Sequence, residues 1–509
     1  MNSKTDILVI LPNNLGDIIM TTPVLEGLKA RYPDSHITFF AEAGFEAGIL
    51  NNPHIDEIIP FRRRLIKEYF TAGDWKAGSK ECIDVIHRLN RTEYDLLINL
   101  SQHSYTANLL QLLHARSTAG CRFLREGNDS VPDAWSRYLY AIPFARRYNA
   151  LHAVDVYRRI AKVTNHRGAC TIQVTDREKQ AAGTYLKSIG MDVAAGCIMV
   201  FQPGAAFPSK RWPAGHFIKL GRMLVEKGWQ VLVSGAPAEK ELADKVQRGI
   251  GNGSFSAAGQ GDFRCAIANL AFAQGCVTGD TALMHAASAL GVKTYALFGP
   301  TSPVETGPYG DGHFVFSGPC DQKPCFSERC TSMQCMNAIL PETVFHCIEH
   351  QRVPLETNGD LYTTHIRENE DYYLASSDTT AFSYYNPVGA EITRCVFEEN
   401  PRLHIPPSDA FEESRLESQE FIASVSRMEN SLQAFIKNRD VQHIRAFEEA
   451  KNGLSALGGI GGFWSALLNI GLNSVPMLDP VDGVAQSAAV CAEIVSRIQR
   501  TFLSMQNPL

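Results

Sequence analysis

Up to about residue 165, short apolar runs alternate with stretches in which apolar residues recur every three or four positions. "DILVIL" leads into the loop "PNNLGD", and a helix is expected around Val24 to Arg31. "HITFFAE" reads as a strand, Phe45 to Leu50 as helix-like, and "YDLLINL" (Tyr94 to Leu100) as a strand again. A second series starts near Cys197. "CIMVFQPG" is followed by a helix over Ala214 to Lys227, then "WQVLVSG" and a helix near Ala238 to Arg248. "GCVTGDTALMHAASALG" and "VKTYALFGPTSP" continue it, each strand ending in a polar or glycine-rich loop. Strands alternating with helices predict parallel pairing through right-handed crossovers, hence doubly wound α/β sheets. Two successive units predict two facing lobes, with ligand in the crevice beyond the C-terminal strand ends.

After about residue 350 the pattern changes. "LYTTHI", "DYYLA" and "AFSYY" read as short antiparallel strands. Steps of four and three then appear at Phe421, Val425, Met428, Leu432 and Phe435, and again at Val484, Ala488, Cys491, Val495, Ile498 and Phe502. Such steps give helices one apolar stripe, suited to a helical appendage packing on itself or to an oligomerisation element joining copies of the chain. The expected division is 1–165, 166–350, and an extension over 351–509 of short strands, then helices.

Composition narrows the classes. At 509 residues the chain is too long for one core. It is 45% apolar and 20% charged with a formal net charge of -6, which speaks against a general polyanion binder and so against nucleic acid as partner. The N-terminal apolar run is too short for an export signal. The nearest approach to a membrane span, Gly453 to Leu478, is uncharged but carries six glycines (453, 458, 459, 461, 462 and 471). It reads as a buried or interfacial helix pair, the alternative being a membrane-touching segment. The 13 cysteines, an odd number, suit reduced thiols in a cytoplasmic protein.

Three strand-end loops of the second series carry chemistry. In "CVTGDTALMHAASALG" a strand is expected to end at Val277 or Thr278, placing Asp280 and Thr281 at the start of a helix over Ala282 to Leu290. The first N–H groups of that helix lack internal partners and carry partial positive charge, a ready diphosphate site. His285 lies one turn in, on the same side as Thr281. The other reading is an Asp cap and a structural His. In "FQPGAAFPSKRWPAGHF", Lys210 and Arg211 precede Trp212-Pro213, with Pro213 suited to a first helical turn. Lys210 is either a counter-charge for a diphosphate or half of a solvated pair. In "VSGAPAEKELADKV", Glu239 sits where it can cap a helix or accept hydrogen bonds from a ribose diol.

"NNLGDIIMTTPVLEGLKARYP", "QPGAAFPSKRWPAGHF", "SGAPAEKE" and "GDTALMHAASALGVKTYALFGPTSP" together resemble glycosyltransferase family 9, the bacterial lipopolysaccharide heptosyltransferases and their relatives, over roughly residues 5–350. The resemblance implies a GT-B architecture of two Rossmann-like lobes, acceptor in the first and donor in the second. It implies inverting transfer, usually of heptose from ADP-heptose, with no metal cofactor required. By the family's pattern Asp17 is the catalytic base, Lys210 meets the donor phosphates and Glu239 the donor ribose. Asp280 meets the donor sugar, while Thr281 and the amides at Ala282 hold the diphosphate, supported by His285. The chain departs from the family at Ala282, where glycine is usual, and in "AAFPSK", whose sole hydroxyl is Ser209. The chemistry fits the assignment. An acceptor hydroxyl needs a carboxylate to take its proton, and a departing nucleoside diphosphate needs fixed positive potential.

Arg62, Arg63, Arg116 and Arg122 put cations in the first lobe, to meet an anionic glycolipid acceptor or to be solvated. Cys320, Cys325, Cys330 and Cys335 stand at equal gaps. Zinc sites more often pair their cysteines, but relatives with cysteine-rich segments, among them iron-binding autotransporter heptosyltransferases, leave a structural iron or zinc open beside reduced thiols. The expected protein is a cytoplasmic family 9 enzyme, with peripheral attachment to the inner membrane and homo-oligomerisation open. The alternatives are a protein O-heptosyltransferase acting on an adhesin-like polypeptide and a non-catalytic nucleotide-sugar-binding protein.

Overall fold

The structure is a computed structural model. It describes residues 4–123, 129–130, 133–146, 149, 151–166, 168–320, 322–354, 360–366, 372–376 and isolated positions between 423 and 450. In chain order the elements are β1 (Asp6–Ile10), α1 (Leu15–Ile19), α2 (Thr22–Arg31), β2 (His36–Glu42), β3 (Glu57–Phe61), α3 (Arg63–Thr71) and α4 (Trp75–Leu89). Then come β4 (Tyr94–Asn99), α5 (Ser104–Leu109), β5 (Ala115–Gly120), β6 (Arg122–Phe123), β7 (Asp129–Ser130), α6 (Ala134–Ala145), α7 (Ala153–Ile160) and α8 (Asp176–Ser188). The second series is β8 (Ile198–Gln202), α9 (Ala214–Glu226), β9 (Gln230–Val233), α10 (Lys240–Ile250), β10 (Ser254–Ser256), α11 (Phe263–Leu270), β11 (Gly275–Gly279), α12 (Ala282–Ala289) and β12 (Lys293–Phe298). It closes with α13 (Pro303–Thr306), β13 (Phe314–Ser317), α14 (Gln334–Asn337), α15 (Pro341–His350), β14 (Asp360–Ile366) and β15 (Tyr372–Ser376).

Two compact units divide the chain, one of residues 1–89 and 152–385, the other of 90–151 and 386–509. In the first unit β2 pairs in parallel with both β1 and β3. The same unit holds an eight-stranded sheet of order β10-β9-β8-β11-β12-β13-β14-β15, parallel from β10 to β13 and antiparallel beyond. Its central strands, β8 and β11, are buried at every position, which is why neither carries a charged residue and β8 opens as the apolar run Ile198 to Phe201. Phe201, Phe217, Leu220, Val231, Val277 and Leu297 pack in its core, and α14 and α15 add Met336, Val344 and Cys347. In the second unit β4 and β5 pair in parallel. A Cβ on Gly120 (φ 94°) would lie 1.9 Å from the Asn99 carbonyl oxygen, so only glycine fits there.

Three departures from the sequence reading have physical causes. Phe45 to Leu50 forms only one 3-10 turn, Glu46–Gly48, hemmed between Gly44 (φ 95°) and Asn51 (φ 64°), both left-handed. The helix expected near Ala238 opens as a 3-10 turn over Pro237–Glu239 and runs as α10 to Ile250, ending at left-handed Gly251 (φ 92°). Strands "LYTTHI" and "DYYLA" form no sheet of their own. As β14 and β15 they extend the sheet that contains β8 to β13. "AFSYY", Gly453 to Leu478, the repeat over 484–502 and, Met428 apart, the repeat over 421–435 lie outside the described residues.

Candidate functional site

The loop after β1 turns directly into α1, which carries Asp17 in its first turn. The Asn14 side-chain amide donates to Asp17 Oδ2 at 3.0 Å. α1 packs against α12, and Gly16 makes that approach possible: a Cβ there would lie 2.7 Å from Cδ2 of His285. The helix that carries Asp17 and the helix opened by Thr281 thus meet within one compact unit.

β8 leads to a loop whose 3-10 turn, Pro208–Lys210, ends on Lys210. Lys210 Nζ donates to Asp280 Oδ2 at 2.7 Å, the two side chains being 17% and 11% exposed. Arg211 turns the other way and donates from Nε and Nη2 to the Ala205 carbonyl, at 3.1 and 2.9 Å. It holds the loop in shape and leaves Lys210 as the cation on Asp280. Burial pushes the Asp280 carboxyl up, but the charge and hydrogen bond of Lys210, with His285 nearby, bring it below the usual carboxylate value. Asp280 Oδ1 accepts from Thr306 Oγ1 at 3.4 Å.

Thr281 is the N-cap of α12, in extended conformation. Its side chain makes no cap hydrogen bond, and its hydroxyl lies 2.9 Å from that of Thr278. Ala282 is the first helical residue. His285 is buried. Burial lowers its pKa to about 4, against the pull of Asp280 and with the repulsion of Lys210, so its imidazole is neutral at neutral pH. Glu239, after β9, accepts from Gln202 Nε2 and from the Ala236 N–H, both at 2.9 Å. Gly204 provides the room: a Cβ there would lie 2.1 Å from the Glu239 carboxyl carbon. Sequence reasoning did not single out Thr306, Gln202 or the contact of Gly16 with His285. Gln202 lay inside the quoted "FQPG" and Thr306 just beyond "GPTSP", but neither spacing reveals its partner.

The arginines are placed differently. Arg62 and Arg63 are exposed at the start of α3 in the first unit. Arg63 Nε donates to the buried Glu42 carboxylate at 2.8 Å. Arg116 and Arg122 belong to the second unit. Arg116 is exposed and donates to Asp95 at 2.9 Å, and Arg122 donates to the Thr118 hydroxyl at 3.1 Å.

The structure does not support the metal left open at the cysteines. Among the described residues no three His, Cys, Asp or Glu side chains are grouped to hold an ion. Cys335 is buried on α14, its thiol pushed up by burial, whereas Cys325 is exposed. Cys330 Sγ lies 3.5 Å from the Ser332 hydroxyl. Lys323, in the same segment, is buried and donates to Ser317 Oγ at 2.6 Å; burial lowers its pKa against the opposing influence of Asp360 and of Cys335, Cys320 and Cys325.

The profile of Glycosyltransferase family 9 (heptosyltransferase) matches residues 82–336. Lipopolysaccharide heptosyltransferase 1 of Pseudomonas aeruginosa is 29% identical over 340 residues, covering 64% of this chain and 87% of that protein. Lipopolysaccharide heptosyltransferase 2 of Salmonella typhimurium is 27% identical over 314 residues, covering 59% and 85%. Among solved structures, a family 9 glycosyltransferase from Veillonella parvula superposes with a TM-score of 0.58 at 24% identity, covering 69% of this chain and 98% of that one. The E. coli heptosyltransferase WaaC with ADP superposes at 0.51 and 21% identity, covering 68% and 100%. Fold and relatives define a glycosyltransferase with the GT-B fold. The chain belongs to glycosyltransferase family 9.

Proposed function

We propose that this enzyme is an inverting, metal-independent heptosyltransferase that moves heptose from ADP-heptose to a hydroxyl of lipopolysaccharide or a related cell-surface glycan. The observation that carries the reading is the approach of α1 to α12 at Gly16 and His285, with the Lys210–Asp280 pair close to the start of α12. Asp17 acts as the general base on the acceptor hydroxyl. Lys210, Thr281 and the amides opening α12 at Ala282 receive the charge that develops on the leaving diphosphate, as a metal would elsewhere. Glu239 takes the ribose hydroxyls, and Asp280 orients the sugar. Neutral His285 packs the helix without adding charge. The relatives' names support heptose and lipopolysaccharide as donor sugar and acceptor class.

On this reading residues 1–165 receive the acceptor and residues 166–350 hold the donor. Work on a lipid-linked glycan calls for a cytoplasmic enzyme attached peripherally to the inner membrane. Among the described residues no helix is long and apolar enough to cross a membrane. A donor panel tests the proposal: ADP-heptose should support transfer and UDP- and GDP-sugars should not. Preference for a UDP- or GDP-sugar would overturn the assignment of the donor.

A further inference from the structure

α7 is buried at all eight positions although it carries one aspartate and two arginines. Asp155 accepts from the Tyr309 hydroxyl at 2.8 Å through Oδ1, and from the backbone N–H of Tyr372 at 3.0 Å through Oδ2. His152, the N-cap of α7, accepts the Val154 N–H at Nδ1. Its proton is therefore on Nε2, which donates to the Gly307 carbonyl at 3.0 Å. Burial lowers the pKa of this histidine to about 3, so the arrangement is fixed across the working range of pH. Its ring packs against Tyr309 and Tyr372, with centroids 4.9 and 4.5 Å away. The Tyr372 ring closes on the same place: a Cβ on Gly307 would lie 2.1 Å from its hydroxyl.

Residues 306–309 lie between this cluster and the candidate site. At one end the Thr306 hydroxyl donates to Asp280. At the other the Tyr309 carbonyl accepts from Ser288 Oγ of α12 at 2.9 Å. The segment thus holds both Asp280 and the helix opened by Thr281, and is itself held by α7 and β15. β15 lies beyond residues 82–336, the part matched to the family.

We propose that His152, Asp155 and Tyr309, with the β15 strand at Tyr372, are positioning residues for the nucleoside-diphosphate-sugar site. The start of the extension is then a working part of that site. The inference rests on the proposed donor role of Asp280 and α12. Two changes in the full-length chain test it: Tyr309→Phe, which removes the hydroxyl on Asp155, and Thr306→Val, with Thr306→Ser as the variant that keeps its hydroxyl. Leu186→Ala on α8, a buried position in none of these contacts, provides a destabilised control. Kd for ADP and for ADP-heptose is measured by calorimetry, with kcat and KM for transfer and the thermal midpoint alongside.

Tyr309→Phe should weaken both ligands about tenfold, the effect expected when the loss of one buried hydrogen bond to a charged group is passed on to the site it positions. Thr306→Val should weaken ADP-heptose but not ADP, and Thr306→Ser should restore wild-type binding. Leu186→Ala should lower the thermal midpoint and leave both Kd values unchanged. Wild-type Kd and kcat in Tyr309→Phe and Thr306→Val would overturn the inference while leaving the proposed function intact. Failure of the unmodified chain to bind either ligand would overturn both.

Discussion

Lys210→Met removes the cation from a carboxylate that cannot reach water freely. The pair is 2.7 Å apart with side chains 17% and 11% exposed. Removing one partner from such a pair costs about 3–5 kcal/mol, because the remaining charge is stranded. The alternative open to Asp280 is to take up a proton. At pH 7, a carboxyl of ordinary pKa pays about 1.4 kcal/mol for each pH unit above that value, which comes to about 4 kcal/mol. Both routes give a destabilisation of about 3–4 kcal/mol at pH 7. In the wild type the Asp280 pKa is held below 3.8. In the wild type the pair's contribution is therefore fully present above that unfolded value and is lost only as the pH falls through the folded one. In Lys210→Met the stranded Asp280 carboxyl is raised above its unfolded value, and its protonation costs less as the pH falls, so the gap to wild type should be largest near pH 7 and shrink toward pH 4. Urea denaturation of Lys210→Met, Asp280→Asn and the double variant, followed by tryptophan fluorescence at pH 7 and pH 4.5, measures it. Asp280→Asn should recover much of the stability lost in Lys210→Met, since no stranded charge remains. Strict additivity, or a Lys210→Met midpoint equal to wild type at pH 7, would refute the reasoning.

Gly16→Ala should leave the fold intact and lower kcat by about tenfold or more, because the methyl pushes α1 away from His285 and misplaces Asp17; circular dichroism and transfer kinetics check both halves. Gly204→Ala should raise KM for the donor with a smaller effect on kcat, since the new Cβ displaces the Glu239 carboxylate; steady-state kinetics with varied donor measures the split. His152, His285 and His313 have pKa values lowered by burial to about 3, about 4 and about 4, from 6.5. Their contribution is complete above pH 6.5 and is lost as the pH falls from 6.5 toward 4, since only the unfolded chain takes up these protons there. The urea midpoint should fall over that window, with a limiting slope of about 1.4 kcal/mol per pH unit for each histidine; a flat profile between pH 6.5 and 4.5 contradicts it.

What was legible in the sequence followed from local periodicity. The strand-loop-helix over residues 6–31 and the strand ends before Lys210, Glu239 and Asp280 come from apolar runs cut by glycine and polar residues, and the structure has them there. The partnerships were less legible because they join distant positions. Nothing at residue 16 announces that its missing side chain makes room for His285, or at residue 204 that it makes room for Glu239. "LYTTHI" and "DYYLA" alternate as strands should, but alternation does not name the neighbour, here β13. The cysteine spacing was undecided for a related reason. Equal gaps permit a metal site, while the fold puts Cys335 in the core and Cys325 outside. Asp155 gave no sequence signal at all, because its partners, Tyr309 and Tyr372, come from two later elements.

The central claim is that Asp17 takes the proton of the acceptor hydroxyl. Asp17→Asn keeps the size and polarity of the side chain and removes its basicity, so transfer from ADP-heptose is the direct measurement, with donor affinity determined by calorimetry on the same preparation. The account predicts a kcat about 10²–10⁴-fold lower and a donor Kd within about threefold of wild type, since the carboxylate acts on the acceptor and not on the nucleotide. A variant that keeps wild-type kcat, or whose loss lies wholly in donor affinity, would contradict it.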